Sequence, residues 1–293
     1  MKKNVYAKIP TEKPNPRSNN IDRLPIAKVV KIINEEDQKV PRAIAQVERH
    51  VVRGVQLIVQ SLKSGGRLFF VGAGTSGRLG ILEAAECPPT FNTPPTLVQA
   101  VIAGGKKAVF RSVEVAEDKQ ANINARRKDI IVGIAASGVT PFVLGALQDA
   151  KSRGAKTILI ACNAASPMKN KVDCLIAPKV GPEIITGSTR LKAGTATKLI
   201  LNMLTVASMI QLGKVYKNFM VDLQPKNKKL TARALRIIEK LGNVSSNEAV
   251  KYLDRAKNNV KLAILMAKKG YGIEQATREL KQSSGFLRDL IHS

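Results

Sequence analysis

Hydrophobic residues in this chain gather into short runs that alternate with stretches of helical spacing. Arg67 to Val71, Leu97 to Ala103, Asp129 to Ala135, Thr157 to Cys162 and Cys174 to Pro178 are compact apolar runs. Each predicts a strand buried on both faces. Between them, Gly77 to Glu86, Pro141 to Ser152 and the long segment from Thr189 predict helices. Strands spaced by helices make a mostly parallel sheet flanked on both sides, an α/β fold in three layers. Leu199 to Leu212 is apolar, but it is short for a membrane span and is interrupted by Asn202, Ser208 and Gln211. It reads as a buried helix.

The flanks follow other patterns. Residues 1 to about 25 are rich in Pro, Asn and Lys and predict an extended arm, and Ile26 to about Leu62 predicts helix. From Thr231, short helical segments separated by Gly242, Asn258-Asn259 and Gly270–Gly272 predict a small C-terminal helical bundle. The expected division is an arm and helix at 1–50, an α/β binding domain at 51–216 and a helical domain at 217–293.

Charge and composition narrow the function. Lys and Arg number 48 against 22 Asp and Glu, a net charge of +26. Such a balance raises nucleic acid as a partner. The cations are scattered, however, there is no Trp, and aromatics make up only 4%, so neither a basic stripe nor a stacking platform is present. The expectation is no nucleic-acid partner. Cys87, Cys162 and Cys174 lack metal-ligand spacing, and the histidines are His50 and His292 alone. A zinc site or a Ser-His-Asp triad therefore lacks raw material, and no metal or cofactor is expected. No apolar signal core follows Lys2 and Lys3, which predicts a cytoplasmic protein without membrane attachment.

Sites in open parallel sheets lie at the carboxyl ends of strands. Three loops there carry hydroxyls beside a helix start. The first is Gly72-Ala73-Gly74-Thr75-Ser76-Gly77, and the second contains Ser137, Gly138, Thr140 and Pro141. The third is Thr186-Gly187-Ser188-Thr189, followed by Arg190 and Lys192. Backbone N–H groups, hydroxyls and a helix N-terminus suit a phosphate. Taken singly, each loop reads more simply as an ordinary helix cap, but three at strand ends of one sheet favour the phosphate. Lys192 adds weight to the phosphate, because a cation in the first turn opposes the helix dipole unless an anion is near. Glu83 and Glu86 stand one helical turn apart. Glu86 precedes Cys87-Pro88-Pro89, which should end the helix and leave a carboxylate at its negative end, favouring the protonated form a general acid needs. Glu114, Glu117 and Asp118 read more simply as acids that open a helix.

The blocks VGAGTSGRLGILEAAECPPTF, GIAASGVTPFV and VGPEIITGSTRLKAGTATKLILNM, with Ala116-Glu117-Asp118, resemble the N-acetylmuramic acid 6-phosphate etherases. That bacterial family is built on a sugar isomerase (SIS) domain and is related to the glucokinase regulatory protein. The resemblance extends over nearly the whole chain and takes in TEKPNP, INEED, GKVYKNFMVDLQPKNKKL and GFLRDL. It implies a lyase that removes D-lactate from N-acetylmuramic acid 6-phosphate and leaves N-acetylglucosamine 6-phosphate. By that resemblance Glu86 donates the proton to the departing lactate oxygen and Glu117 is the base at C2, which replaces the helix-opening reading of Glu117. Ser76 and Ser137 hold the 6-phosphate, with Thr75, Gly138, Thr140, Ser188 and Thr189 nearby. The same resemblance implies Lys192 and Glu183 as candidates for contacts with the lactate carboxylate or sugar hydroxyls. A homodimer with its site near the subunit interface is implied as well. Two departures from the family pattern stand out: Val139 replaces an Arg, and the segment from Glu117 to Asp129 is short. A non-catalytic phosphosugar-binding regulator and a sugar-phosphate isomerase are the alternatives on the same domain.

Overall fold

The structure is a computed structural model that describes residues 9–119, 121 and 123–291. The first eight residues of the expected arm, and His292, lie outside the described residues. Five strands form one sheet: β1 (Leu68–Gly72), β2 (Val98–Ile102), β3 (Ile130–Ile134), β4 (Lys156–Ile160) and β5 (Cys174–Ile176). They run parallel in the order β2-β1-β3-β4-β5. All of β1 and β3 is buried, as their unbroken apolar runs require.

Helices cover both faces. α1 (Ile26–Asp37), α2 (Lys39–Ala45) and α3 (Glu48–Lys63) precede the sheet, and α4 (Gly74–Phe91), α5 (Lys106–Phe110), α6 (Pro141–Ser152) and α7 (Lys192–Gln211) interleave with or follow its strands. α6 packs through Val143, Ala146 and Leu147 against Phe69, Val71, Ile131 and Leu159. On the other face Gly54 of α3 brings the backbone against Leu204 of α7, Ile158 and Ile176. α7 is long and apolar enough to cross a membrane by length and composition, and 56% of its apolar window is buried within the protein. The three-layer α/β fold with a parallel sheet flanked by helices, expected from the sequence, is the one observed.

Four local expectations differ from the structure. α4 does not stop at Cys87 but continues through Pro88 and Pro89 to Phe91. Each proline forfeits only its own bond to the carbonyl four residues back, and the burial of Cys87 and Phe91 anchors the last turn. The helix ends at Asn92, whose φ of 52° starts a left-handed cap. α7 starts at Lys192 rather than Thr189, which leaves Ser188 and Thr189 in the loop. The acids at Glu114–Asp118 form a single 3-10 turn instead of opening an α-helix. From residue 9 the arm is not simply extended: 3-10 turns occupy Pro10–Glu12, Pro16–Ser18 and Ile21–Arg23, and Ile9, Thr11 and Asn15 are buried.

The chain divides into two compact units. One holds the chain up to Ala85 with Thr96–Thr205, and the other holds Glu86–Pro95 with the chain from Val206 onward. The second unit contains α8 (Lys228–Gly242), α9 (Ser246–Arg255), α10 (Val260–Lys269), α11 (Ile273–Gln282) and α12 (Leu287–Ile291). Side-chain caps from Asn227, Ser245 and Asn259 start three of these helices. Inside this unit the Lys261 ammonium is buried. It donates to Asp222 at 2.7 Å, to the Gly213 carbonyl at 3.0 Å and to the Gly285 carbonyl at 3.1 Å.

Candidate active site

The order of the sheet fixes where a ligand can sit. The chain passes from β1 to β2 on one side and to β3 on the other, so the connections part above the carboxyl ends of β1 and β3. A cleft of about 610 Å3 opens there, within the first unit. Such a switch point is the ordinary ligand position in doubly wound sheets.

The first wall is the turn from β1 into α4. Gly72 and Gly77 touch, and a Cβ on Gly72 would come within 2.6 Å of the Gly77 nitrogen, so the turn is as tight as backbone allows. Gly74 has a φ of 52° and presents no side chain. The first N–H groups of α4 have no carbonyl within the helix to bond, and they point along the helix axis toward the cleft together with Thr75 and Ser76.

The second wall follows β3. Ser137 and Thr140 line the cleft. Thr140 occupies the N-cap of α6, but its side chain makes no capping bond. Its hydroxyl is therefore left for the cleft, contrary to the plain capping alternative. Gly138 does not line the cleft; its φ of 73° turns the loop, and its carbonyl accepts the Ser166 hydroxyl at 2.6 Å. Asn163 donates to the Ser137 carbonyl at 2.9 Å. These two buried residues after β4 brace the loop from behind, and nothing in their sequence signalled the role.

The third wall is Gly187-Ser188-Thr189-Arg190. Thr189 and Ser188 reach the cleft, whereas Glu183 and Lys192 do not. Glu183 is fully buried and caps α7, accepting from the Lys192 and Ala193 N–H groups at 3.0 and 2.9 Å. Burial raises its carboxyl above the ordinary range, and those two N–H groups partly oppose the shift. The Lys192 ammonium, 2% exposed, bonds Glu36 at 2.6 Å. The anion that offsets a cation at this helix start is thus protein carboxylate. Burial pushes the Glu36 carboxyl up, but hydrogen bonds from Lys192, Lys39 and Asn15 outweigh it and hold its pKa at about 2.

Carboxylates and cations complete the cleft. Glu117 reaches over the first loop, with Oε1 3.3 Å from where a Cβ on Gly74 would stand. Glu12, Asp118, Ser112, Arg78 and Arg190 also line it, and none of these was singled out as a site residue from the sequence. Arg78 is held by the Val109 and Arg111 carbonyls at 2.9 and 3.2 Å. Glu86 is absent from the lining. It is exposed on α4 ten residues beyond Ser76, about 15 Å along the axis. Because α4 continues past it, Glu86 does not occupy the negative end of the helix. Glu83 lies buried on the same helix and pairs with Lys198 at 2.6 Å. The arrangement can take an anionic group against hydroxyls and N–H groups and set a carboxylate beside the carbon skeleton attached to it.

Comparison with known proteins follows the same lines. A family model of the glucokinase regulatory protein N-terminal SIS domain matches residues 50–151, an SIS-domain model matches 106–207, and the C-terminal lid domain of glucokinase regulatory protein matches 217–261. The chain is 51% identical over 284 residues to an N-acetylmuramic acid 6-phosphate etherase of Rhizobium rhizogenes, covering 94% of this chain and 92% of that one. It is 50% identical over 281 residues to the N-acetylmuramic acid 6-phosphate etherase 2 of Vibrio cholerae, with the same coverage. Among solved structures it is similar to a phosphoheptose isomerase from Neisseria gonorrhoeae, with 18% identity and a TM-score of 0.47 over 62% of this chain and 99% of that one.

Proposed function

The chain belongs to the N-acetylmuramic acid 6-phosphate etherase family, and on that premise we propose that it cleaves the D-lactyl ether of N-acetylmuramic acid 6-phosphate. The products are N-acetylglucosamine 6-phosphate and D-lactate, in amino-sugar recycling. The observation that carries the reading is a cleft at the switch point where three hydroxyl-bearing loops face Glu117.

The proposed 6-phosphate position is at Ser76, Ser137 and the first turn of α4, with Thr75, Thr140, Ser188 and Thr189 around it. In the open sugar the C1 aldehyde acidifies the C2 proton. Glu117 takes that proton, the C3–O bond breaks, and the electron pair leaves with the lactate oxygen, which is protonated as it departs. Water then adds at C3 of the unsaturated aldehyde and a proton returns to C2. This is carbon-oxygen lyase chemistry run by an acid, a base and a phosphate clamp.

We assign the acid's role to Glu86 of a second chain. A phosphate at the first turn of α4 places the sugar away from the helix, whereas Glu86 of the same chain lies about 15 Å down its axis. In a homodimer of cytoplasmic protein, with the binding domain at 51–216 contributing the three loops of the site and the helical domain at 217–293 attached, Glu86 of one protomer serves the cleft of its partner. The test is release of D-lactate by the purified protein, followed by an enzymatic lactate assay. Glu117→Gln is expected to abolish release and keep N-acetylglucosamine 6-phosphate binding. Wild-type protein that binds substrate and yields no lactate would refute the reading.

A further inference from the structure

Two sequence blocks, TEKPNP and INEED, have no part in the chemistry above. The structure joins them. Asn15, in the first block, donates from Nδ2 to Glu36 of the second at 3.0 Å and to the Pro182 carbonyl at 3.1 Å. Glu36 receives the Lys192 ammonium, and Lys192 directly follows the third cleft loop. At the other end of the block, the Thr11 carbonyl accepts the Gly187 N–H at 3.1 Å, and Ile9 and Thr11 are buried. The arm is therefore fastened on both sides of Glu12.

That fastening sets Glu12 on the cleft wall, with Oε2 3.1 Å from where a Cβ on Gly187 would stand. Gly187 has a φ of 77°, so the loop beneath the carboxylate is bare for two separate reasons. Glu12 leans over the third loop as Glu117 leans over the first. An ionised carboxylate only accepts hydrogen bonds and repels a phosphate. Its natural partners in a phosphosugar are the hydroxyls of the sugar.

We propose that Glu12 is a substrate-contacting residue that accepts hydrogen bonds from hydroxyls of the sugar, and that the N-terminal arm is thereby part of the binding site. The inference rests on the phosphosugar reading of the cleft. Glu12→Ala and Glu12→Gln in the full chain test it, with N-acetylglucosamine 6-phosphate and inorganic phosphate as calorimetric probes. Loss of hydrogen bonds to a charged acceptor predicts a phosphosugar Kd weaker by about tenfold or more in Glu12→Ala, less in Glu12→Gln. Phosphate affinity should stay within about twofold of wild type, with an unchanged thermal midpoint. A phosphosugar Kd unchanged in Glu12→Ala overturns the inference. Equal loss of both probes also overturns it, since the arm then acts on the phosphate loop rather than on the sugar. Wild-type binding without lactate release would sink the etherase reading alone, because the Glu12 measurement needs no turnover.

Discussion

Replacing Lys192 with Met removes the ammonium at the start of α7 and keeps most of the aliphatic stem. Glu36, whose side chain is 2% exposed, then retains Asn15, Arg17 and Lys39 as donors. Breaking a buried pair from one side costs about 3–5 kcal/mol. With three donors left behind, the lower end applies, about 3 kcal/mol. The Glu36 pKa of about 2 points the same way, since burial pushes it up and Lys192 is the largest of the donors that lower it. For a unit of this size the midpoint of thermal unfolding should drop by roughly 6–12 °C. Scanning calorimetry or circular dichroism at neutral pH reads it. The pH dependence has a definite sign. A folded pKa held below the unfolded one supplies stability that is complete above the ordinary Glu value and is lost as pH falls toward about 2. Wild type should lose this contribution across that window, and the gap to Lys192→Met should narrow as the pH is lowered. A variant that melts like wild type but shows a raised KM would refute the argument, and would return Lys192 to the substrate contact that its sequence position suggested.

Three further outcomes are expected. Mixing Glu86→Gln chains with Ser76→Ala chains, each inactive alone, should restore about a quarter of wild-type lactate release, because half the sites of each mixed two-fold dimer are intact; no recovery on subunit exchange would place Glu86 outside the partner's cleft. Gly74→Ala puts a Cβ 3.3 Å from Glu117 Oε1 at a φ of 52°, so kcat should fall at least about tenfold for a stability cost of about 1 kcal/mol, and loss of stability without loss of rate would separate that turn from Glu117. Burial pushes the Cys162 thiol up to about 12 and the Cys174 thiol up to about 11, and Cys87 is buried too, so iodoacetamide near pH 8 should label none of the three until guanidinium is added, as mass spectrometry can read; rapid native labelling of Cys162 would contradict the packing.

Strand positions were legible because burial on both faces leaves a continuous apolar run, as Leu68–Val71 and Ile130–Val132 illustrate. The first two cleft loops were legible for a similar reason, since each sits where an apolar run meets a helix start, and the third by its hydroxyls ahead of α7. What escaped was non-local. Pro88 and Pro89 signal a helix end by local rules, and only the burial of Cys87 and Phe91 explains why α4 continues. Lys192 correctly called for a nearby anion, but Glu36 lies 156 residues earlier and no spacing rule connects them. The arm has little hydrophobicity to betray its docking, and its fastenings span 21 and 167 residues. Glu117 was visible only through family resemblance, because an acid in a short turn is ordinary.

The Lys261 ammonium has a bearing on the order in which the helical unit can be completed during synthesis. Burial disfavours its charge and the Asp222 carboxylate opposes that, so the cation belongs in the interior only when its acceptors are present. Gly213 and Asp222 leave the ribosome before it, but Gly285 follows 24 residues later. Without that carbonyl one N–H of a buried ammonium would lack its acceptor, at a cost of about 1–3 kcal/mol. The last of these carbonyls to be made thus adds the final acceptor to a buried node that ties three separate segments of this unit together.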